Sequence, residues 1–236
     1  MGEKLTGTAG AKAVAGAKAS DAEVAAANAN VAVREARGGA KGAGSKGADT
    51  VSRTRSVAFV GLTIAIMGVS AWVAIPFGPV LLTLQMFALM FAIMVLAPKQ
   101  CMAAIAGYLV LGAVGLPMFS GMRGGIGMLA GPTGGYLWGY LLGAVAALFV
   151  REALGRAMGG AKGLGGTKAF AVDMTTCLAF IVVTYVCGCF QYAVVMGVDM
   201  AASFAVTIAP FAVPDVLKAV AAVACARAVK SALPGR

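Results

Sequence analysis

Long stretches without charge fix most of what this chain can become. Residues 56–98 contain no Asp, Glu, Lys or Arg. Residues 100–150 contain only Arg123, and residues 169–226 contain four charges: Asp173, Asp199, Asp215 and Lys218. A helix crosses a ~30 Å hydrocarbon core with roughly 20 apolar residues, so each stretch has room for two crossings. The alternative spanning structure, a closed β-barrel, would alternate apolar and polar residues over ~10-residue segments. These runs are apolar all round and rich in Ala, Leu, Met and Gly. With 60% hydrophobic and 12% charged residues, the chain has too little charge to cover a soluble surface.

The pattern predicts an all-α integral membrane protein with six transmembrane helices. They fall at about residues 57–75, 80–97, 102–116, 134–150, 169–196 and 215–229, and Pro76, Pro79, Pro98, Pro117 and Pro214 punctuate the series. One side of the predicted bundle collects Arg53, Arg55, Lys99, Arg151, Arg156, Lys162, Lys168, Arg227, Lys230 and Arg236, and the other only Arg123. Basic loops stay inside, so both termini are predicted cytoplasmic in a multi-pass cell-membrane protein. Residues 1–52 form a separate Ala/Gly-rich basic tail without the apolar core of a signal peptide. Its sparse charge and lack of aromatics read as a solvated, disordered extension rather than a nucleic-acid or lipid-binding arm. Residues 53–236 make the membrane domain.

Several chemistries are excluded. With no histidine, His-based zinc sites, haem ligation and His general bases are absent. The five cysteines lie within or at the ends of predicted spans and read as small buried thiols. The run Gly166-Thr167-Lys168 reverses the Gly-Lys-Ser/Thr order of a phosphate loop. The 125–130 segment matches a dinucleotide fingerprint in spacing but has no strand before it and no βαβ unit after it. No nucleophile–base constellation stands out, so the expectation is a non-enzyme without cofactor.

The few polar residues inside the apolar runs carry the functional reading, because such groups are costly there and face a cavity or the bundle interior. Asp215 and Lys218 are three residues apart on one face of the last helix, just after Pro214. They read either as ligand contacts or as an ion pair closing the helix start. Thr83 and Gln85 are the polar pair of the second span, and Gln85 is the stronger cavity candidate, with an interhelical hydrogen bond as its alternative. Tyr136 and Tyr140 open the fourth span beside Trp138, where an interfacial aromatic belt is the competing explanation. Asp199 reads as a solvated residue or helix cap, and Asp173 as snorkelling or capping. The loop 118–133 carries Gly121, Gly124, Gly125, Gly127 and Gly131 but also Met118, Phe119, Met122, Ile126, Met128 and Leu129. A loop this apolar is expected to pack down over a site as a lid, with Gly125 and Gly127 allowing close backbone approach.

At this loop the residues resemble a known family. Gly112-Ala113-Val114-Gly115-Leu116-Pro117-Met118-Phe119, then Gly124-Gly125-Ile126-Gly127 and Gly131-Pro132-Thr133-Gly134-Gly135-Tyr136, closely resemble the BioY family. These are substrate-binding (S) components of energy-coupling factor biotin transporters. Val80-Leu81-Leu82-Thr83-Leu84-Gln85 and Pro214-Asp215-Val216-Leu217-Lys218 look like two further family motifs, and the likeness extends over about residues 56–231.

The resemblance implies six helices, a high-affinity biotin site near the outer face, a transmembrane coupling protein and two cytosolic ATPases as partners. It places ligand contacts on Asp215 and Lys218; the residue pattern adds Gln85, Thr83, Tyr136, Gly125 and Gly127 around them, and the valerate carboxylate meets either Lys218 or Arg123. It also implies a small-residue face on the first helix toward the coupling protein, matched here by Gly61 and Ala65. An S component for a different vitamin, or an autonomous secondary transporter, remain the alternatives.

Overall fold

In a computed structural model the described residues are 53–77, 80–158 and 166–232. The basic tail 1–52 lies outside them. The chain is mostly helical, as its composition demands. Helix α1 (Arg53–Trp72) is followed by strands β1 (Ala74–Phe77) and β2 (Val80–Thr83), then α2 (Gln85–Val95) and α3 (Pro98–Val114). The remaining helices are α4 (Gly127–Ala130), α5 (Gly134–Ala157), α6 (Gly166–Met196), α7 (Met200–Thr207) and α8 (Ala212–Ala232).

The first correction is the hairpin. A turn between two spans is expected at residues 76–79, but β1 and β2 pair antiparallel across it, with Ala74 opposite Thr83 and Phe77 opposite Val80. Two prolines close together disfavour a continuous helix there, and the backbone is extended at Ala74–Phe77 and Val80–Thr83. The predicted second span therefore yields an 11-residue helix, α2, preceded by a strand. Thr83 accordingly belongs to a strand and Gln85 to the first position of α2. Three helices, α1, α5 and α6, are long and apolar enough to cross a membrane alone; α7 and α8, bent by 49° at their junction, make a fourth such unit. Helices α2 and α3 are apolar but shorter. The fold class is thus a helical membrane protein with a small β-hairpin.

Helices α5 and α6 are the backbone of the bundle, and three glycines set their separation. A Cβ at Gly135 would lie 2.3 Å from the Cys187 carbonyl oxygen, one at Gly139 2.8 Å from Thr184 Cα, and one at Gly143 2.9 Å from Thr184 Oγ1. Spaced four residues apart, they form one small-residue stripe that lets two helices approach to backbone contact. The Thr184 hydroxyl donates to the Gly139 carbonyl at 3.2 Å across the same seam. Elsewhere α2 packs on α8. The α8 alanines Ala219, Ala222 and Ala226 are buried, as are the large side chains Leu89, Met90 and Ile93 of α2.

Helix α3 begins with Pro98, whose missing N–H is no loss in a first turn. It ends at Gly115, φ +116°, with the Leu116 N–H reaching back 3.2 Å to the Leu111 carbonyl. This left-handed glycine cap launches the loop described below. Asp199 caps α7, accepting the Ala202 N–H at 3.0 Å. Three cysteines, Cys101, Cys177 and Cys189, are buried as expected, but Cys187 is half-buried and Cys225 is exposed. On a helix in lipid an exposed face is apolar too, so a thiol there needs no protein cover.

Candidate functional site

Strand β2, the loop 115–133 and helices α5, α6 and α8 enclose a cavity of about 220 Å³. Its floor is polar. Asp215, 3% exposed, has its carboxylate divided between two donors. Lys218 Nζ lies 2.8 Å from Oδ1, and the Tyr185 hydroxyl donates to Oδ2 at 2.6 Å. Lys218 Nζ also donates to the Thr83 carbonyl at 2.7 Å, which ties β2 to α8. A buried charge pair persists only where geometry and further hydrogen bonds offset its desolvation, and here each partner has a second polar contact.

The walls are aromatic and apolar. Tyr136 packs edge-on against Tyr185, ring centroids 6.3 Å apart, and its hydroxyl donates to the Thr207 carbonyl at 2.5 Å. The Tyr136 ring lies against Gly188, where a Cβ would come within 2.6 Å of it. Tyr140, Phe119, Phe211, Met86 and Met128 add to the lining, and Ser120 and Arg123 belong to its loop side. Arg123 is exposed and is the cation among the loop residues of the lining.

The structure brings together Asp215, Lys218, Thr83, Tyr136 and Arg123, all of which line this cavity. Gln85 lies behind the lining instead. It is fully buried, its Nε2 donates to the Tyr108 hydroxyl at 2.7 Å and its Oε1 accepts from Ser120 at 3.4 Å. The Tyr108 hydroxyl in turn donates to the Met118 carbonyl at 2.7 Å. Gln85 therefore braces the start of the loop. Gly125 and Gly127 are not part of the lining: Gly125 has φ +101° and donates its N–H to the Gly112 carbonyl at 2.7 Å, and a Cβ at Gly127 would meet no described atom within 4 Å. Gly61 and Ala65 lie on α1, both exposed.

The loop is fastened at several points. Trp72 Nε1 donates to the Pro117 carbonyl at 2.6 Å, and Gln191 Nε2 donates to the Leu129 and Gly131 carbonyls, each at 2.9 Å. Phe119 and Arg123 pair backbone to backbone across a tight turn. Phe119 sits against Gly112, where a Cβ would come within 2.3 Å of its ring. Two of the apolar loop residues expected to pack down do not: Met122, at the turn with φ 60°, is 60% exposed, and Ile126 is 76% exposed.

Tyr185, Phe211 and Ser120 were not visible as site residues. The one available signal for Tyr185 is a hydroxyl deep inside α6 rather than at an interface, since a buried tyrosine O–H seeks a partner. Its partner lies 30 residues away, beyond any spacing rule.

These features define a class: a membrane-embedded binding protein with an aromatic-walled cavity closed by a glycine-rich loop, holding one buried carboxylate–lysine pair. The BioY family model matches residues 43–235, and the chain belongs to the BioY family. A biotin transporter BioY of Thermotoga maritima is 47% identical over 90 residues, 38% of this chain and 53% of that protein. A probable biotin transporter BioY of Pyrococcus horikoshii is 36% identical over 171 residues, 72% of this chain and 93% of the relative. Among solved structures, the S-component for biotin from an ECF-type ABC transporter superposes with a TM-score of 0.66 at 20% identity, over 76% of this chain and 93% of that one. That likeness establishes a shared fold.

Proposed function

We propose that this chain captures biotin at the outer face of a bacterial or archaeal plasma membrane, as the substrate-binding component of an energy-coupling factor transporter. A transmembrane coupling protein and two cytosolic ATPases supply the energy. The observation that carries the reading is the Asp215–Lys218–Tyr185 cluster at the floor of an aromatic-walled cavity, in a chain of the BioY family. A ureido ring offers N–H donors to the Asp215 carboxylate and a carbonyl acceptor to Lys218 or a tyrosine hydroxyl. The fused thioether ring suits Tyr136, Tyr140 and Met86, and the valerate carboxylate runs toward Arg123 at the loop.

The reading includes six crossings with both termini inside. The short α2 is compatible with it, because about 16 Å of helix and about 13 Å of strand β2 together match the ~30 Å core. Non-helical backbone at that depth is tolerable where it is covered by protein or lines a cavity, and Leu81, Leu82 and Thr83 line this one.

The detergent-purified chain should bind radiolabelled biotin with a stoichiometry near one. Displacement of a bound vitamin by thiamine or riboflavin but not by biotin would sink the biotin assignment. Biotin uptake into liposomes holding this chain alone, without ATP, would favour an autonomous carrier instead.

A further inference from the structure

A second cavity, of about 420 Å³, lies between the C-terminal part of α5, the N-terminal part of α6 and the C-terminal part of α8. Arg151, Arg227 and Lys230 line it, with Asp173 as its carboxylate. Among the described residues none of these three cations makes an ion pair within 4.0 Å. Two positive charges are therefore left over.

These are not merely solvated loop charges. Arg151 is half-buried and its Nη1 donates to the Ile93 carbonyl at 2.9 Å, near the end of α2. The Arg227 guanidinium is held over the Phe170 ring, 5.9 Å from its centroid, and its Nη2 donates to the Gly166 carbonyl at 2.9 Å. Its Nη1 is buried with no hydrogen-bond partner among the described residues. A buried charged donor left unpaired is costly, so that nitrogen is itself closed off from the cavity; the half-buried Arg227 nevertheless lines it, and a planar guanidinium held in place suits a tetrahedral oxyanion. Lys230 is on the same face of α8, three residues on.

We propose that this basin binds a phosphate group, with Arg227 and Lys230 as its principal donors and Arg151 behind them. The group can come from an anionic phospholipid at the bundle's edge or from free phosphate, and the two are separable. The inference does not depend on what the first cavity binds.

The test uses the full chain purified in mild detergent. Native mass spectrometry follows retention of phosphatidylglycerol against phosphatidylcholine, and thermal unfolding is followed with added inorganic phosphate against chloride at matched ionic strength. The lipid source predicts preferential retention of phosphatidylglycerol, falling about fivefold for each cation removed in Arg227→Gln and Lys230→Gln. The free-ion source predicts a phosphate-dependent rise in melting temperature without lipid preference, lost in the same variants. Equal retention of both lipids together with no phosphate effect overturns the proposal, as does full anion preference in the Arg227→Gln, Lys230→Gln double variant. Because Lys230 is exposed, Lys230→Gln keeps the test valid should Arg227→Gln fail to fold, with monodispersity on gel filtration as the check.

Discussion

Lys218 Nζ lies 2.8 Å from Asp215 Oδ1, one helical turn apart on α8, and neither group depends on the other alone. The Tyr185 hydroxyl holds the second carboxylate oxygen, and the Thr83 carbonyl takes a further Lys218 proton. The pair thus does both things its spacing allows: it closes the start of a helix and presents charge to a cavity.

Those two roles separate in a mutant cycle. Asp215→Asn should weaken biotin binding on the order of 10- to 100-fold, the ~1.5–3 kcal/mol of one hydrogen bond to a charged group. Lys218→Met leaves a buried carboxylate without its cation and should destabilise the fold by about 3–5 kcal/mol. The double variant should recover most of that stability but none of the affinity. Thermal unfolding and equilibrium binding on the three variants check it; a double variant as unstable as Lys218→Met would refute the pairing argument.

How far the sequence could be read depended on the range of the interactions. Absence of charge is a local property, so the helical membrane character of the chain and the Asp215–Lys218 face were legible. The hairpin was not, because Val80–Thr83 is a short apolar run that periodicity cannot assign to strand or helix. Gln85, polar in an apolar run, fits either a cavity contact or an interhelical hydrogen bond on sequence alone; as the first residue of α2 it bonds Tyr108 on α3. The Gly135, Gly139 and Gly143 stripe had a readable spacing, but its partner face on α6 is fixed only by tertiary packing.

Tyr108 links Gln85 to the loop backbone at Met118. Tyr108→Phe should leave Gln85 and the Met118 carbonyl each short of one partner, at a cost of about 1–3 kcal/mol. Because the cavity floor is untouched, biotin affinity should fall only severalfold, chiefly through faster release as the loop loosens. Stopped-flow release rates and a melting curve would decide; unchanged release with unchanged stability would show that the brace is idle.

The glycines divide into those that need to be small and those that do not. A Cβ at Gly135 would meet the Cys187 backbone oxygen at 2.3 Å, which no rotamer change relieves, so Gly135→Ala should push α5 off α6. Overpacking typically costs about 1–3 kcal/mol, and backbone clashes lie at the upper end or beyond. Gly127→Ala meets open space and should leave melting temperature and biotin affinity unchanged. Loss of binding in Gly127→Ala with normal folding would instead restore Gly127 as a direct ligand contact.

Gly61 and Ala65 lie one turn apart on α1, exposed, and a Cβ at Gly61 would meet no described atom within 4 Å. Nothing among the described residues therefore explains a small residue there, whereas close approach of a second helix would. If the chain works with the proposed coupling protein, Gly61→Leu should fold and bind biotin as the parent does, yet fail to copurify with that protein and lose ATP-dependent uptake. Gly61→Ala should retain both, since one methyl group is tolerated where a branched chain is not. Because Leu62, Ile66 and Val69 are exposed on the same helix, Leu62→Ala serves as the control for general loss of apolar surface. If Gly61→Leu still copurified, the coupling face would have to lie on another helix.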